Sequence, residues 1–197
     1  MDEKLRQSWE RFLNPDTLRS NLIVASIFLS AYEILRQSII ERIRDFYTTG
    51  FDSSGIIVDP KYQAEVLSKN RSPVYASLEW LKESQAIDES DVAVFDRIRQ
   101  TRNEIAHEIT QMLTRGIPDD LLLRFHEMVD LLAKIEKWWI VNVEIPTNPD
   151  FDGEEIDEEG IMPGPVMTIR LLLDIALGSE QESKYYFDEF LKRQPSV

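Results

Sequence analysis

The chain has 197 residues, which suffice for one well-buried domain with an appendage, and it carries a formal net charge of −14. It has no cysteine and two histidines, which excludes disulfides and thiolate chemistry and argues against a histidine-rich zinc site. The acidic balance argues against a broad nucleic-acid-binding surface, which is normally basic, but it leaves room for a local site.

No targeting, membrane-spanning or metal-binding segment is evident. The first residues, Met-Asp-Glu-Lys-Leu-Arg, lack the apolar core of a signal peptide. The apolar run from Leu22 to Leu35 contains Glu33 and is shorter than a bilayer span. No calcium- or magnesium-binding loop is recognisable. We therefore expect a soluble cytoplasmic protein with no membrane association, no metal and no cofactor.

Two helices are predicted in the first 47 residues. The first covers residues 2–13, has apolar residues at i, i+4 and i+7, and ends at Asn14-Pro15. The second runs from about Thr17 to Tyr47 and is apolar almost all round between Leu22 and Leu35, which is typical of the most buried helix of a domain. Glu33 is the only charge in that stretch, and a buried carboxylate is costly unless it is paired.

The middle of the chain is predicted to be helical after one loop. The loop covers residues 48–60, and its only β-like segment is residues 55–58. Most of the later helices begin at an Asp or Ser before Pro or at a run of acids, and several end at a glycine or proline. The predicted helices cover residues 60–69, 73–84, 88–115 and 119–143.

Residues 144–165 differ from the rest of the chain in composition. Eight acids and no Lys or Arg occur between Glu144 and Gly160, so that −14 minus −8 leaves −6 for the remaining residues. Prolines and glycines interrupt this run, which predicts a mobile loop. The alternative is that the run mimics nucleic acid or covers the basic edge of a site. Residues 166–197 are then predicted to form an apolar pair of helices that must pack on something.

The most reactive side chains occur together on the helix predicted over residues 88–115. Its apolar stripe consists of Ile98, Ile105, Ile109 and Met112. His107 lies roughly 180° from the centre of that stripe, and Asn103 is one turn earlier on the same outward side. Arg102 flanks the apolar face and must reach outward along its stem. Arg102 and His107 can therefore converge only at an edge of the helix.

These three side chains suit metal-free cleavage of RNA by internal transesterification. An imidazole that titrates near neutral pH can take a proton from a ribose 2′-hydroxyl or give one to a leaving 5′-oxygen. A guanidinium can bind phosphoryl oxygens as charge develops, and the carboxamide of Asn103 can hold a phosphate or orient the histidine. The alternative, from spacing alone, is a solvated polar helix face with Arg102 in a structural ion pair.

The segment Arg102-Asn103-x-x-Ala106-His107 resembles the Arg-polar-x-x-x-His motif of the HEPN superfamily, small all-helical domains found in many prokaryotic toxins and RNA-cutting defence proteins. The resemblance covers about residues 17–143. It implies that two protomers bring their motifs together in a composite cleft that cuts RNA without metal. It also implies a catalytic role for Arg102, Asn103 and His107.

Many HEPN proteins carry an acidic residue on an early helix, and Glu33 is the candidate for that position in this chain. The resemblance then implies that Glu33 contacts Arg102 and helps to position its guanidinium. The alternative for Glu33 is a structural ion pair or a half-exposed position without a catalytic role.

We therefore predict an all-α fold in three parts: a HEPN-like helical bundle (residues 1–143), an acidic Pro/Gly-rich loop (144–165) and a C-terminal helical pair that packs on the bundle (166–197). The favoured function is that of a metal-independent endoribonuclease, which acts as a homodimer in a toxin–antitoxin or phage-defence setting. Its partners would be an RNA substrate and an antitoxin or defence-system protein. The alternative is a non-catalytic HEPN-like dimeric module that binds a protein or a nucleotide. The acidic charge favours the alternative, and the complete motif favours the nuclease.

Overall fold

One long helix, α2 (Pro15–Phe46), lies at the centre of the fold. It is seen in a computed structural model that describes residues 2–53, 55–118 and 120–193, without the side chains of Lys4 and residues 108–115. A shorter helix, α1 (Glu3–Leu13), precedes α2 and packs on it. The fold is all-α, as predicted, apart from one small hairpin.

The start of α2 follows from local chemistry. The side-chain oxygen of Asn14 accepts hydrogen bonds from the backbone N–H groups of Asp16 and Thr17, at 3.0 and 3.3 Å, and Pro15 occupies the first helical position. The helix thus begins two residues before the predicted Thr17. Its interior is apolar and contacts several other helices; among its fully buried residues are Phe28, Leu35, Ile39 and Ile43.

Three further helices pack around α2 and complete the core. They are α3 (Pro73–Glu83), α4 (Glu89–Arg115) and α5 (Leu121–Trp139), and α4 also packs directly on α5 and on α1. Each presents an apolar stripe at helical spacing toward α2. Their fully buried large residues include Leu78, Leu81, Phe95, Ile98, Ile105, Met128, Leu132 and Ile135. The helices predicted over residues 73–84, 88–115 and 119–143 are therefore confirmed in type and approximate position.

The region predicted as a loop contains an antiparallel hairpin. Strands β1 (Thr48–Asp52) and β2 (Gly55–Val58) pair with Phe51 opposite Ile56, and the register shifts between Thr48 and Gly50. Gly55 has a φ of +120°, a backbone conformation that residues with a side chain rarely adopt. Each strand is stabilised by its pairing with the other. The sequence showed only one β-like segment, so it did not predict the pairing. Residues Tyr62–Val66 and Leu67–Lys69 then form a π-helical and a 3-10 turn.

The acidic residues after α5 are mostly exposed and begin as short helical turns. The chain continues through a π-helical turn (Ile140–Glu144), a single α-helical turn, α6 (Ile145–Thr147), and a 3-10 turn (Pro149–Phe151). Residues 152–163 contain no helix or strand. The second half of the predicted loop is therefore a loop, whereas the first half forms short helical turns. The mobility of the loop stays a prediction.

Two helices follow the acidic segment. Helix α7 (Gly164–Leu177) packs on α2 and α5 and buries Val166 and Ile169, whereas α8 (Glu180–Arg193) packs on α7 and buries none of its residues. A capping box begins α8: the hydroxyl of Ser179 accepts the backbone N–H of Glu182 at 3.4 Å, and the Glu182 carboxylate accepts the backbone N–H of Ser179 at 2.7 Å. The helical pair thus packs on the bundle through α7, and most apolar side chains of α8 are exposed.

Helix α2 is long and apolar enough to cross a bilayer, judged by length and composition alone. In the structure 44% of that apolar window is buried inside the protein. The core helix of a soluble bundle and a signal sequence both pass the same test. This helix is therefore weak evidence for a membrane span.

Candidate functional site on helix α4

Helix α4 begins at a well-formed cap that fixes its first turn. The Asp88 carboxylate accepts the backbone N–H groups of Ser90 and Asp91 at 2.8 and 3.2 Å, and the Asp91 carboxylate accepts the backbone N–H of Asp88 at 2.8 Å. Hydrogen bonds from the Ser90 side chain and from the backbone hold the pKa of the Asp88 carboxyl below its usual value. The ammonium of Lys134, on α5, lies 2.5 Å from the Asp91 carboxylate and links the two helices.

The motif residues lie around α4 as their spacing predicts. Ile98 and Ile105 are buried, which confirms the described part of the apolar stripe. Two further members of the predicted stripe lie outside the described side chains: Ile109 and Met112. Arg102, at the margin of that stripe, and Asn103, on the outward side, are both half-buried, and His107 is exposed.

The guanidinium of Arg102 is held between helices α2 and α4. Its Nη2 donates to the Glu33 carboxylate at 3.2 Å, and its Nη1 donates to the side-chain oxygen of Asn103 at 3.3 Å. Its Cζ lies 5.3 Å from the centre of the Tyr32 ring, which is within the range of a cation–π contact. The Nε atom is buried and makes no hydrogen bond to the described residues. Each Nη nitrogen carries a second N–H group, and the side chain is 34% exposed, so Arg102 keeps donors for an anion.

Glu33 makes the contact that the resemblance implies, but it is not a buried charge. Its side chain is 43% exposed, and it also lies 3.4 Å from the guanidinium of Arg36, one turn later on α2. Glu33 thus occupies the half-exposed, ion-paired position that the sequence left open, because α2 turns this residue toward the edge between α2 and α4. An ion pair this exposed is worth about 0–1 kcal/mol of stability.

His107 stands apart from Arg102 on the same helix. Five residues separate them, so their side chains leave the helix roughly 140° apart around its axis. Among the side chains that the structure describes, none forms a hydrogen bond or ion pair with His107. Asn103 lies one turn before His107 and is bonded to Arg102, so it stands between them on the helix surface. A single copy thus brings Arg102, Asn103 and Glu33 together and leaves His107 outside that cluster.

A row of aromatic rings lies beneath this part of α4. The ring of Phe95 is stacked against Tyr32 on α2, with centroids 6.2 Å apart, and meets Tyr75 on α3 edge-on at 6.0 Å. The Cζ of Arg99 lies 5.4 Å from the centre of the Tyr75 ring. Arg99 therefore makes a cation–π contact with Tyr75, as Arg102 does with Tyr32. Sequence reasoning missed Arg99, although it lies one turn before Asn103 on the outward side of α4.

Both tyrosines titrate above their usual range. Burial raises the pKa of Tyr32, and the nearby Arg102 opposes that rise. Burial, together with a hydrogen bond from the Tyr75 hydroxyl to the Asp96 carboxylate, raises the pKa of Tyr75 to about 12. Both phenols are therefore neutral near pH 7, where they serve as ring platforms and hydrogen-bond donors rather than as bases.

A second ionic cluster, away from the motif, was not predicted. Glu136 on α5 is 1% exposed; it accepts a hydrogen bond from the hydroxyl of Ser38 and two from Arg42, from Nη2 at 2.5 Å and from Nε at 3.2 Å. The Nη1 of Arg42 donates to Glu144 at 2.6 Å, at the start of the acidic segment. The hydrogen bonds from Arg42 to Glu136 raise the pKa of the guanidinium. This cluster joins α2, α5 and the acidic segment.

The sequence does contain a signal for this cluster. Glu136 lies four residues after Leu132 and three before Trp139, both buried, so it occupies the apolar face of α5. A lone acid on such a face predicts a buried partner. The partner, Arg42, is 94 residues away in sequence, and helical periodicity cannot identify it.

An apolar cavity lies away from the motif residues. It has a volume of about 270 Å³ and is open to solvent between α2, α5, α7 and the turn after α4. Its lining residues are Val24, Ile27, Phe28, Ile117, Pro118, Leu121, Leu122, Phe125, Leu173 and Leu177. No titratable side chain is among them, so the cavity offers no group for acid–base or phosphate chemistry.

Within the described ranges, no three His, Asp or Glu side chains are grouped so that they could hold a metal ion. No family model matches this sequence, and neither a curated protein nor a solved structure shows a significant match to it.

Proposed function

We propose that this chain is a metal-independent endoribonuclease of the HEPN type, which acts as a cytoplasmic homodimer in a toxin–antitoxin or phage-defence setting. One observation carries the proposal: Arg102 is held by Tyr32, Glu33 and Asn103 with donors left over for an anion, on the same helix as an exposed His107. This is the residue set that phosphodiester cleavage by acid–base catalysis requires.

The reaction needs two proton transfers and no water. A histidine takes the proton of the ribose 2′-hydroxyl while the 2′-oxygen forms a bond to phosphorus. The bond from phosphorus to the 5′-oxygen breaks, and a protonated histidine gives its proton to that oxygen. The products are a 2′,3′-cyclic phosphate and a 5′-hydroxyl. Arg102 stabilises the charge on the phosphoryl oxygens in the transition state.

The geometry of one chain supports a dimeric site. Arg102 and His107 leave α4 roughly 140° apart, so they do not face one phosphate from the same copy. Each copy also supplies a single motif histidine, whereas the reaction uses a base and an acid. A two-fold axis near α4 would bring the His107 of each copy toward the Arg102 of the other. Glu33 and Asn103 then serve as positioning residues for the Arg102 guanidinium.

A cleavage assay on mixed structured and unstructured RNA, with a metal chelator present, tests this function. Wild-type protein should cleave the RNA and leave 2′,3′-cyclic phosphate ends, and His107→Ala should not. The matched control is His126→Ala, which removes the other histidine of the chain, also exposed on a helix. Equal loss in both variants, or cleavage that survives in His107→Ala, would contradict the assignment.

The second candidate is a HEPN-like dimeric module that binds a protein or a nucleotide without cutting RNA. The net charge of −14 favours it, because RNA is repelled by most of such a surface. The exposed aromatic residues of α8 also suit a protein partner; they include Tyr185, Phe187 and Phe190. Wild-type protein that leaves all RNA intact, with and without divalent metal, would select this candidate over the nuclease.

A further inference from the structure

Two arginines on one side of α4 are supported in the same way. Arg102 lies over the ring of Tyr32 and Arg99 over the ring of Tyr75, at 5.3 and 5.4 Å, and Phe95 packs between the two rings. Three residues separate the arginines, so they leave the helix about 60° apart. The contacts come from α2 and α3, so the tertiary fold holds both guanidinium groups at defined positions.

An aromatic ring beneath a guanidinium group fixes the plane of the guanidinium and leaves the N–H groups at the guanidinium edge free. In the part of the chain that the structure describes, Arg99 makes no ion pair and no hydrogen bond. Arg97, two residues earlier on the other side of the helix, instead pairs with Glu127 at 2.9 Å. Arg99 is therefore an exposed, positioned cation whose donors lack an acceptor among the described residues.

The surroundings of the two rings are locally basic on an acidic protein. Three guanidinium groups, those of Arg36, Arg99 and Arg102, act on Tyr32, and the carboxylates of Glu33 and Asp96 act on Tyr32 and Tyr75. Three positive charges and two negative charges leave a local charge of +1, against −14 for the chain. An anion is thus repelled less at this place on α4 than by the acidic rest of the chain.

We propose that Arg99, supported by Tyr75, binds a phosphodiester group of the RNA strand next to the one at Arg102, as a second phosphate subsite. This inference rests on the proposed function, and it places the RNA substrate along α4. Arg99 leaves α4 about 60° from Arg102 around the helix axis and is exposed, so a strand bound at Arg102 can extend over Arg99. The rise of 1.5 Å per residue separates the two arginines by about 4.5 Å along the helix. A ligand with two linked phosphates can therefore contact both arginines, whereas a mononucleotide contacts one.

Binding of RNA by cleavage-deficient protein tests the subsite. An unstructured, fluorescently labelled RNA oligonucleotide is titrated with the His107→Ala protein, and anisotropy is followed between 50 and 200 mM salt, a range over which phosphate contacts weaken measurably. Adding Arg99→Ala should weaken binding about ten-fold, because a charge-assisted hydrogen bond is lost, and should lower the salt slope by about 0.7, as one phosphate contact does in a single strand. Arg99→Lys should keep the salt slope, because it keeps the charge.

The matched control is Arg97→Ala in the same background, which removes the same charge from the same helix. It should leave affinity within about two-fold, because rim charges away from the contact contribute little. Circular dichroism of each variant should give the wild-type helical signal, since both side chains are exposed, and Arg99→Gln provides a second variant of similar length.

The outcomes separate this inference from the proposed function. Equal effects of Arg99→Ala and Arg97→Ala would overturn the subsite even if wild-type protein cleaves RNA. A specific effect of Arg99→Ala on binding, in a protein that cleaves nothing, would support the subsite and overturn the nuclease. No RNA binding by the His107→Ala protein at low salt would overturn both.

Discussion

Replacing Arg42 by methionine would leave the carboxylate of Glu136 in the core without its cation. Glu136 is 1% exposed and would keep only the hydrogen bond from Ser38. Breaking a buried ion pair by removing one partner costs about 3–5 kcal/mol, because the remaining charge is desolvated and uncompensated. For a chain of this size that corresponds to a fall in melting temperature of about 6–20 °C.

Urea unfolding followed by circular dichroism measures this loss, and α2 offers a matched control. Arg44 is similarly exposed, at 38% against 35% for Arg42, but its partner Glu41 is 44% exposed. Arg44→Met should therefore cost about 1 kcal/mol or less. The comparison holds arginine exposure nearly constant and contrasts a buried carboxylate partner with an exposed one.

A double variant separates the unpaired charge from the lost packing. Arg42→Met together with Glu136→Leu removes both charges and leaves apolar groups of similar volume, so it should regain most of the lost stability. If the double variant is no more stable than Arg42→Met, or if Arg42→Met costs no more than Arg44→Met, the desolvated carboxylate is not the cause.

Four further outcomes are expected. His107→Ala should lower cleavage by about two to four orders of magnitude with RNA affinity nearly unchanged, whereas Arg102→Ala should weaken both, as single-turnover and binding assays would show. Mixing these two variants should recover part of the activity if the site is composite, because a mixed dimer has one site with His107 from one copy and Arg102 from the other and keeps one of the two proton transfers; no recovery, in subunits that energy transfer between fluorescent labels shows to exchange, would argue against a site that combines these residues from two copies. Glu33→Gln should lower turnover but cost less than about 1 kcal/mol in unfolding, since the pair is exposed; a loss of several kcal/mol would make Glu33 a structural residue. Residues 144–165 should be cut first in limited proteolysis, and Arg42→Met should speed that cut by releasing Glu144; equal rates in both proteins would mean that Arg42 does not anchor the segment.

The helices were predictable because their signals are local. Asn14 and Asp88 begin helices by bonding backbone groups two or three residues away, and spacings of three and four residues place Ile98 and Ile105 on one face. The same periodicity placed His107 outward. The contact between Glu33 and Arg102 was expected from the resemblance together with the lone charge on α2, and it is present.

Only the tertiary structure decided which distant groups meet. It pairs Glu136 with Arg42, turns Glu33 toward the surface, joins β1 to β2 and places Tyr75 beneath Arg99. Each of these depends on how two elements approach and rotate against each other, and residues far apart in sequence carry no periodic signal of that approach. The capping bonds and apolar stripes specify each helix separately, whereas the positions of its charged side chains follow from the packing of all helices around α2.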